Sequence, residues 1–169
     1  NCVLAKPASQ SSLIAYRAVQ LMHQAGVARQ ALQFIPGKGS ELGQRLCADE
    51  RLGGVAFTGS TVAAKTINQQ LANKPGAIIP LIAETGGQNV MIVDSTAFVE
   101  QLVVDVIDSA FNSAGQRCSA LRVLYVQEDI ADEVIGMLKG AMAQINTENP
   151  QLLSTDVGAL ISQSAKEEL

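Results

Sequence analysis

The sequence predicts an α/β fold, in which a mostly parallel, Rossmann-like sheet has helices on both faces. Two hydrophobic periods alternate along the chain, and they are the main evidence for this fold. Short apolar runs are typical of buried strands, whereas longer stretches with apolar residues every three or four positions are typical of helices. Glycine, proline or serine residues separate most of these segments. Strands that alternate with helices in this way form βαβ units, whose strands are parallel.

The first half of the chain contains four predicted strands joined by three predicted helices. The strands are the apolar runs at residues 2–6, 31–35, 53–59 and 77–84. The helices span about residues 11–25, 40–47 and 60–72. Ser11 or Ser12 is the expected cap of the first helix, which Gly26 ends, and Ser60 or Thr61 is the expected cap of the third.

The second half of the chain is predicted to add two strands, two helices and a loop. The strands are residues 89–94 and 121–127, and the helices are residues 97–111 and 129–145. Residues 146–158 are rich in Asn, Pro, Ser and Thr, so we expect a loop there. The chain opens in a strand and closes at 162–169 in a helix that is just starting, so we expect an excerpt from a longer protein.

Composition argues against several classes of protein. Of the 169 residues, 47% are apolar and 17% are charged, so we expect a folded domain rather than disorder. The net charge of −4, without a Lys/Arg cluster, argues against nucleic acid as a partner of this segment. No apolar run reaches the roughly 18–20 residues that a transmembrane helix needs. Three cysteines and one histidine without close spacing predict neither a metal site nor a disulfide framework, and a reduced, cytoplasmic compartment is the expected location.

Two glycine-containing turns lie at the predicted carboxyl ends of strands, where ligands collect in parallel sheets. The segment PGKGSELG places Gly37, Gly39 and Gly43 one residue away from the spacing of a dinucleotide-binding loop, and an ordinary turn fits equally well. In FTGSTVAAK, a helix begins directly after Gly59, so its free N–H groups are suited to a phosphate. The alternative is that Ser60 only caps this helix.

Two reactive side chains occur at the ends of apolar segments. Glu84 follows a predicted buried strand and is a candidate general base; alternatively, it pairs locally or reaches the surface. Cys118 lies among small polar residues that leave room for a substrate, so its thiolate is a candidate nucleophile. An inert buried thiol is the alternative, and this is the role we expect for Cys2 and Cys47. His23 lies on the first predicted helix, where nothing predicts a Cys–His pair.

Four motifs occur in an order that resembles the aldehyde dehydrogenase superfamily, and the match extends over nearly the whole chain. The motifs are VLAKPA, FTGST, ETGGQN and SAGQRCSA. Glu84 and Cys118 are 34 residues apart, the separation that this family shows between its general base and its nucleophile. The longer segment PLIAETGGQNVMIVDSTA resembles the pyrroline-5-carboxylate dehydrogenase domain of bifunctional proline utilisation proteins.

The resemblance implies an NAD-dependent enzyme that oxidises the small-molecule aldehyde glutamate γ-semialdehyde to glutamate in proline catabolism. Cys118 would be the nucleophile, and Glu84 would activate the hydrolytic water. Arg117 and Ser119 would contact the carboxylate end of the substrate. The residues implied to contact the cofactor are Lys6 and Ser9 near the ribose, Gly59 and Ser60 at the pyrophosphate, Ala63 beside adenine, and also Gly37 and Gly86. FAD would occur only in a proline dehydrogenase domain outside this chain.

Two departures from the family pattern concern the cofactor. Many relatives have glycine where this chain has Ala64, which narrows the space beside the phosphate turn. Many relatives carry an acidic residue where this chain has Ser9, and such a side chain would hold ribose hydroxyls and repel a 2′-phosphate. Both NAD and NADP are therefore compatible with the sequence, although the resemblance favours NAD.

The same resemblance implies that residues 1–84 are part of the NAD-binding domain and that residues 85–169 begin the catalytic domain. The family's oxyanion Asn and second ribose-binding Glu lie outside this chain, so we expect little or no activity from it alone. We expect a homo-oligomer in the full-length protein, whose association with a membrane stays open. The alternatives are an aldehyde dehydrogenase for another aldehyde, a nucleotide-binding module in which Cys118 is inert, and a thiol hydrolase that uses Cys118 and His23.

Overall fold

A computed structural model describes residues 1–167, and the chain divides into two compact units, Asn1–Thr85 and Gly86–Leu169. Both units contain helices and parallel strands, which confirms the predicted α/β class. The cofactor-binding and catalytic roles predicted for residues 1–84 and 85–169 stay predictions. Within the described residues, no helix combines the length and the apolar character that crossing a bilayer requires.

The first unit contains two parallel strand pairs and three α-helices. In chain order, the elements are β1 (Val3–Ala5), α1 (Ser12–Gln24), β2 (Leu32–Phe34), α2 (Gly39–Ala48), β3 (Val55–Thr58), α3 (Thr61–Ala72) and β4 (Leu81–Glu84). Strand β1 pairs with β2, and β3 pairs with β4. Parallel partners need a long connection, and α1 and α3 supply it in the two pairs. The predicted order of strands and helices is therefore confirmed.

Two local predictions for this unit were wrong. The strand expected from residue 77 begins only at Leu81, because Pro80 has no N–H to donate to a ladder. The carbonyl of Pro80 does accept a hydrogen bond of 3.0 Å from the N–H of Val55, so pairing starts directly after the proline. Cys2 is exposed rather than buried, because it precedes β1, whose first two side chains are exposed as well.

The second unit is built around one parallel strand pair. Its elements are β5 (Asn89–Val93), α4 (Val99–Phe111), β6 (Leu121–Val126), α5 (Glu128–Met142) and α6 (Gln163–Glu167). The register shifts between Asn89 and Val90, which leaves Arg122 as an extra residue in β6 and forms a β-bulge. Residues 146–158 contain turns and one isolated bridge, so the predicted loop is confirmed. Helix α6 lies within the predicted terminal helix, whose last two residues lie outside the described residues.

The core of the second unit lies between the β5–β6 pair and the helices α4 and α5. Val134 of α5 is completely buried, and burying such a side chain stabilises a fold by about 1.5–3 kcal/mol. The other buried side chains of this core come from the strands and from α4: Val93, Val99, Leu102, Val103, Val106 and Leu121. The opposite face of the strand pair is exposed, with Ile92 80% and Tyr125 58% accessible. Packing on one face therefore fixes β5 and β6, whose first residues flank the loop around Cys118.

Candidate active site

The loop around Cys118 begins with three consecutive residues in the left-handed region of backbone space. It follows the end of α4 at Phe111. The φ angles of Ser113, Ala114 and Gly115 are 57°, 55° and 65°. A residue with a Cβ carries a cost of about 1–2 kcal/mol in this conformation, which glycine avoids. The first two residues of the SAGQRCSA motif, Ser113 and Ala114, are therefore strained.

Gly115 occupies a position that is too crowded for a side chain. It is buried, and an ideal Cβ on it would lie 2.8 Å from the carbonyl oxygen of Ala110. Its own carbonyl oxygen accepts a hydrogen bond of 2.7 Å from Nη2 of Arg122. The N–H of Gln116 donates to the carbonyl oxygen of Ser113 at 3.1 Å. Hydrogen bonds on both sides of Gly115 therefore hold the turn.

Cys118 is exposed and carries a free thiol. Its carbonyl oxygen accepts a hydrogen bond of 2.6 Å from Nδ2 of Asn89, and the same nitrogen donates to the carbonyl oxygen of Ala120 at 2.9 Å. The N–H of Ala120 donates to the carbonyl oxygen of Arg117 at 3.1 Å, which closes a turn around the cysteine. The loop thus combines an accessible sulfur with a fixed backbone, and a nucleophile needs both.

Arg117 and Ser119, the predicted contacts of a substrate carboxylate, flank Cys118 and are both exposed. Within residues 1–167, the guanidinium of Arg117 has no carboxylate at ion-pair distance. A guanidinium can bind a carboxylate through two parallel hydrogen bonds, and a serine hydroxyl can add a third. Both side chains are therefore accessible to an anionic ligand, and their roles stay predictions.

Glu84 is the last residue of β4 and pairs with Thr58 at the end of β3. Its carbonyl oxygen accepts a hydrogen bond of 3.1 Å from the N–H of Gly59, so Glu84 and the FTGST turn lie at the same end of one strand pair. The Glu84 side chain is exposed, as in the alternative in which it reaches the surface. Ligands of α/β proteins bind at the carboxyl ends of parallel strands, and the carboxylate lies there. Its action as a general base stays a prediction.

The turn after β3 has both a serine cap and free helix N–H groups, the two alternatives that the sequence left open. Ser60 caps α3, because its Oγ accepts a hydrogen bond of 3.2 Å from the N–H of Ala63. A cap of this kind stabilises a helix by about 1 kcal/mol. The N–H groups of Thr61 and Val62 belong to the first helical turn, where an α-helix offers them no acceptor. An anion can therefore bind to these two groups even though the Ser60 hydroxyl is engaged.

Two of the glycines predicted to meet the cofactor have a steric requirement. An ideal Cβ on Gly59 would lie 2.6 Å from the ring of Phe57, and one on Gly37 would lie 2.7 Å from Leu42. Gly37 also has a φ of 148°, which residues with a side chain rarely adopt. An ideal Cβ on Gly86, by contrast, would meet no described atom within 4 Å. The side chains of Phe57 and Leu42 therefore leave little space at Gly59 and Gly37, whereas the space at Gly86 is open.

Lys6 lies near the PGKG turn at residues 36–39. It directly follows β1, is half-buried, and donates a hydrogen bond from Nζ to the carbonyl oxygen of Pro7. Its Nζ also lies 3.8 Å from the point where a Cβ on Gly39 would be. The carboxyl ends of β1 and β2 therefore bring the predicted ribose contact beside the PGKG turn. Ser9, the other predicted ribose contact, is exposed at the start of a short 3₁₀ turn, Ser9–Ser11.

The cap predicted for the first helix is confirmed in its position but not in its hydrogen bonding. Ser11 occupies the N-cap position of α1, but its hydroxyl donates to the carbonyl oxygen of Ala8 at 3.4 Å and accepts from no N–H of the helix. The hydroxyl of Ser12 donates to the carbonyl oxygens of Ala8 and Ser9, at 3.2 and 3.0 Å, whereas a cap would accept from an N–H. The 3₁₀ turn before α1 makes these carbonyls available and replaces the cap.

Cys47 and Asp49, which lie away from these turns, have pKa values shifted by their surroundings. Burial raises the pKa of the Cys47 thiol, and the positive charge of Lys74 opposes part of this rise. The Arg51 side chain donates to both carboxylate oxygens of Asp49, at 2.9 and 2.6 Å, and holds the pKa of that carboxyl well below its usual range. Cys47 is thus buried and disfavoured as a thiolate, which fits an inert thiol.

His23 has a local structural contact of its own. It lies in the last turn of α1, and its Nδ1 is 3.0 Å from the carbonyl oxygen of Val27. This contact holds the ring at the end of its own helix. His23 and Cys118 belong to different units, and so do Glu84 and Cys118. The local contact of His23 gives a thiol hydrolase no support.

The sequence reasoning missed two side chains that hold the cysteine loop, Asn89 and Arg122. Each is a polar residue next to apolar sequence, which is the only local signal. Arg122 is a charged residue inside the apolar run LRVLYV, and Asn89 directly precedes the apolar residues of β5. The acceptors of Asn89 are 29 and 31 residues further along the chain, and no local pattern predicts such a pairing.

Comparisons with known proteins agree on one family. The family model described as "Aldehyde dehydrogenase family" matches residues 1–169. The chain is 53% identical to Bifunctional protein PutA of Salmonella typhimurium strain LT2, over 98% of this chain and 13% of that protein. It is 36% identical to 1-pyrroline-5-carboxylate dehydrogenase of Anoxybacillus flavithermus, over 98% of this chain and 33% of that protein. The chain therefore spans only a fraction of the length of these relatives.

Solved structures with the same fold include an NAD-dependent and an NADP-dependent enzyme. A mutant of Bradyrhizobium japonicum Proline Utilization A superposes with a TM-score of 0.95 at 51% identity, over 100% of this chain and 17% of that one. An NAD-dependent aldehyde dehydrogenase from Sinorhizobium meliloti gives 0.93 at 27% identity, over 99% and 33% of the two chains. An NADP dependent enzyme of E. coli gives 0.91 at 28% identity, over 97% and 34%. The parallel strand pairs described above therefore follow the fold of these enzymes.

Proposed function

The chain belongs to the aldehyde dehydrogenase family, and from this premise we propose that it forms part of a pyrroline-5-carboxylate dehydrogenase. In the full-length protein, the enzyme would oxidise glutamate γ-semialdehyde to glutamate with NAD as the hydride acceptor. The observation that carries this proposal is the SAGQRCSA loop, which presents the exposed thiol of Cys118 on a backbone held by Asn89. The identity of 50–53% to PutA proteins supports the substrate and a role in proline catabolism.

Residues of the first unit fit the phosphates and ribose of a nicotinamide dinucleotide. The first-turn N–H groups of Thr61 and Val62 would hold the pyrophosphate, and a side chain at Gly59 would crowd that turn. Lys6, beside the PGKG turn, would donate to ribose hydroxyls. The bound nicotinamide would supply hydride acceptance. We propose NAD rather than NADP from the family resemblance, although Ser9 carries no charge that would repel a 2′-phosphate.

The chemistry of oxidation would centre on Cys118. Its thiolate forms a C–S bond to the aldehyde carbon, and the carbonyl π electrons move to the oxygen. The backbone N–H of Cys118 is one donor that could stabilise the resulting oxyanion. Departure of a hydride from this carbon leaves a thioester, so the substrate carbon loses two electrons. Arg117 and Ser119 would hold the carboxylate end of the substrate during this step.

Turnover would depend on Glu84. Its carboxylate removes a proton from a water molecule, whose oxygen then bonds to the thioester carbon. The C–S bond breaks, the acid leaves, and Cys118 returns as a thiolate. The exposed position of Glu84 at the end of β4 gives water access to the carboxylate.

The test uses two substitutions in the full-length protein with a matched control. Cys118→Ala should abolish NADH formation from glutamate γ-semialdehyde, because no thiohemiacetal can form. Glu84→Gln should retain a burst of about one NADH per site and then turn over slowly, because only thioester hydrolysis is impaired. Cys2→Ala removes the other exposed thiol and should leave the rate unchanged. A Cys118→Ala protein that oxidises the aldehyde at the normal rate would overturn the proposal.

An aldehyde dehydrogenase for a different aldehyde is the second candidate. It is favoured by the solved structures at 27–28% identity, which share the fold under other names. A panel of aldehydes that ranks another substrate above glutamate γ-semialdehyde in kcat/KM would select this candidate. The low activity of the isolated 169-residue chain and the homo-oligomer come from the resemblance, the cytoplasmic location comes from the cysteine content, and all three remain part of the proposal.

A further inference from the structure

The backbone around Cys118 is tied to the β5–β6 pair at two points. Asn89, the first residue of β5, holds the carbonyl groups of Cys118 and Ala120. Arg122, the second residue of β6, holds the carbonyl group of Gly115. The two side chains thus reach the loop from opposite strands of one parallel pair, on either side of the cysteine in sequence.

The β-bulge accounts for this arrangement. Asn89 pairs with Leu121 and Val90 pairs with Val123, so Arg122 has no partner in the ladder. A bulge turns the extra side chain out of the regular alternation and is common beside functional sites. The Arg122 side chain therefore does not follow the regular alternation of β6, and it donates to the carbonyl oxygen of Gly115, seven residues earlier in the chain.

The amide of Asn89 is fully committed to the loop. A side-chain amide nitrogen has two hydrogens, and the contacts at 2.6 and 2.9 Å use both of them. Asn89 is half-buried, and Ala120 is 1% exposed, so water cannot easily replace the contact to Ala120. These bonds fix the peptide plane on the carboxyl side of Cys118.

Arg122 fixes the other side of the loop. Gly115 is buried and is the last of the three left-handed residues, so a donor on its carbonyl oxygen stabilises an otherwise unfavourable turn. A guanidinium gives a strong, charge-assisted hydrogen bond to a carbonyl oxygen. Without this donor, the strained turn would have less to oppose its relaxation.

We propose that Asn89 and Arg122 are positioning residues that hold Cys118 where its sulfur can attack a bound aldehyde. This inference rests on the proposed role of Cys118 as the nucleophile. The hydrogen bonds of both side chains go to backbone carbonyl groups of the loop rather than to the sulfur. A displacement of a reacting atom by about 1 Å can cost about a hundredfold in rate, so loosening the loop slows chemistry even when the thiol keeps its intrinsic reactivity.

The test compares variants of the full-length protein by kcat, by KM for NAD and by alkylation of Cys118 with iodoacetamide. Asn89→Ala and Arg122→Met remove the donors, and each should lower kcat by at least about tenfold. The KM for NAD should change by less than about twofold, because neither Asn89 nor Arg122 is one of the predicted cofactor contacts such as Lys6 and Ser60. Alkylation should change by less than about threefold, because a small reagent needs no alignment with a bound substrate.

Two further variants separate positioning from general loss of structure. Arg122→Lys keeps a charged donor for the carbonyl group of Gly115 and should retain most of kcat. Gln127→Ala removes a similar tie at the other end of the same strand pair, where the Gln127 side chain accepts the N–H of Ser95 at 2.9 Å. This control should leave kcat unchanged. If Asn89→Ala does not fold, the pair Arg122→Met and Arg122→Lys decides the question.

Three results would overturn the positioning role: kcat of Asn89→Ala and Arg122→Met within twofold of the parent, equal losses in Arg122→Met and Arg122→Lys, or an equal loss in Gln127→Ala. These results differ from a failure of the proposed function. If Cys118→Ala retains activity, the nucleophile itself is wrong. If Cys118→Ala is inactive while the Asn89 and Arg122 variants keep full rates, only the positioning role is wrong.

Discussion

Replacing Gly115 with alanine tests whether the left-handed turn determines the conformation of the cysteine loop. The new methyl group would lie 2.8 Å from the carbonyl oxygen of Ala110, a backbone atom of α4 that cannot move without disturbing the helix. An alanine at a φ of 65° costs about 1–2 kcal/mol. Overpacking typically adds about 1–3 kcal/mol. We therefore expect the native loop to lose about 2–5 kcal/mol relative to open conformations.

The assay is hydrogen–deuterium exchange of the full-length protein, measured on peptides that cover residues 112–121. A loss of 2 kcal/mol corresponds to opening that is about thirtyfold more frequent, so exchange should accelerate at least by that factor. A local measurement is needed because a protein of several domains has no single free energy of unfolding. Gly136→Ala is the matched control: an ideal Cβ there meets no described atom within 4 Å of this α5 position, and alanine favours a helix by about 0.5–1 kcal/mol.

Unchanged exchange of residues 112–121 in Gly115→Ala would refute the reasoning, because the clash and the strained φ angle would then have no energetic consequence. An equal acceleration in Gly136→Ala would refute it as well, since the effect would not be specific to the turn. Faster exchange that is confined to the Gly115 variant would support a turn that only glycine tolerates at this position.

Two further predictions concern ionisable groups. In the native full-length protein, iodoacetamide should label Cys47 more slowly than Cys118, because Cys47 is 4% exposed and burial raises its pKa; equal labelling by peptide mass spectrometry would contradict this. Arg51→Ala should raise the pKa of Asp49 toward the usual value of about 4, as followed by carboxyl NMR shifts. Because the pKa of Asp49 is lower in the folded than in the unfolded protein, its pairing with Arg51 stabilises the fold at pH values above the unfolded pKa. This stabilisation is lost as the pH falls through the pKa of the folded state. An Asp49 titration that Arg51→Ala does not alter would disprove the assignment.

Periodicity predicted the order of strands and helices because those elements depend on local spacing of apolar residues. The predicted start of β4 at residue 77 was wrong. Residues 77–80 have the apolar character of a strand, but Pro80 has no N–H to donate to a neighbouring strand. The prediction that Cys2 is buried was wrong because burial depends on neighbours far along the chain. Neither failure concerns the type of element, only its limits and its environment.

The candidate site could be predicted only in part. Cys118, Glu84 and Ser60 belong to motifs whose residue types suit the proposed chemistry, so the sequence was sufficient to single them out as candidates. Asn89 escaped notice because its role depends on carbonyl groups brought close by the β5–β6 pairing. The left-handed turn escaped notice because Ser113 and Ala114 are residue types that rarely adopt positive φ angles.

The parallel pairing of β5 with β6 imposes an order of events on the nascent chain. About 30 residues, including all of α4, must leave the ribosome between the end of β5 and the start of β6, which takes on the order of 1.5–6 seconds at about 5–20 residues per second. During that interval Asn89 is already present, whereas Arg122 and the ladder that brings the two together are not. The cysteine loop therefore acquires its final shape only after β6 has left the ribosome and paired with β5.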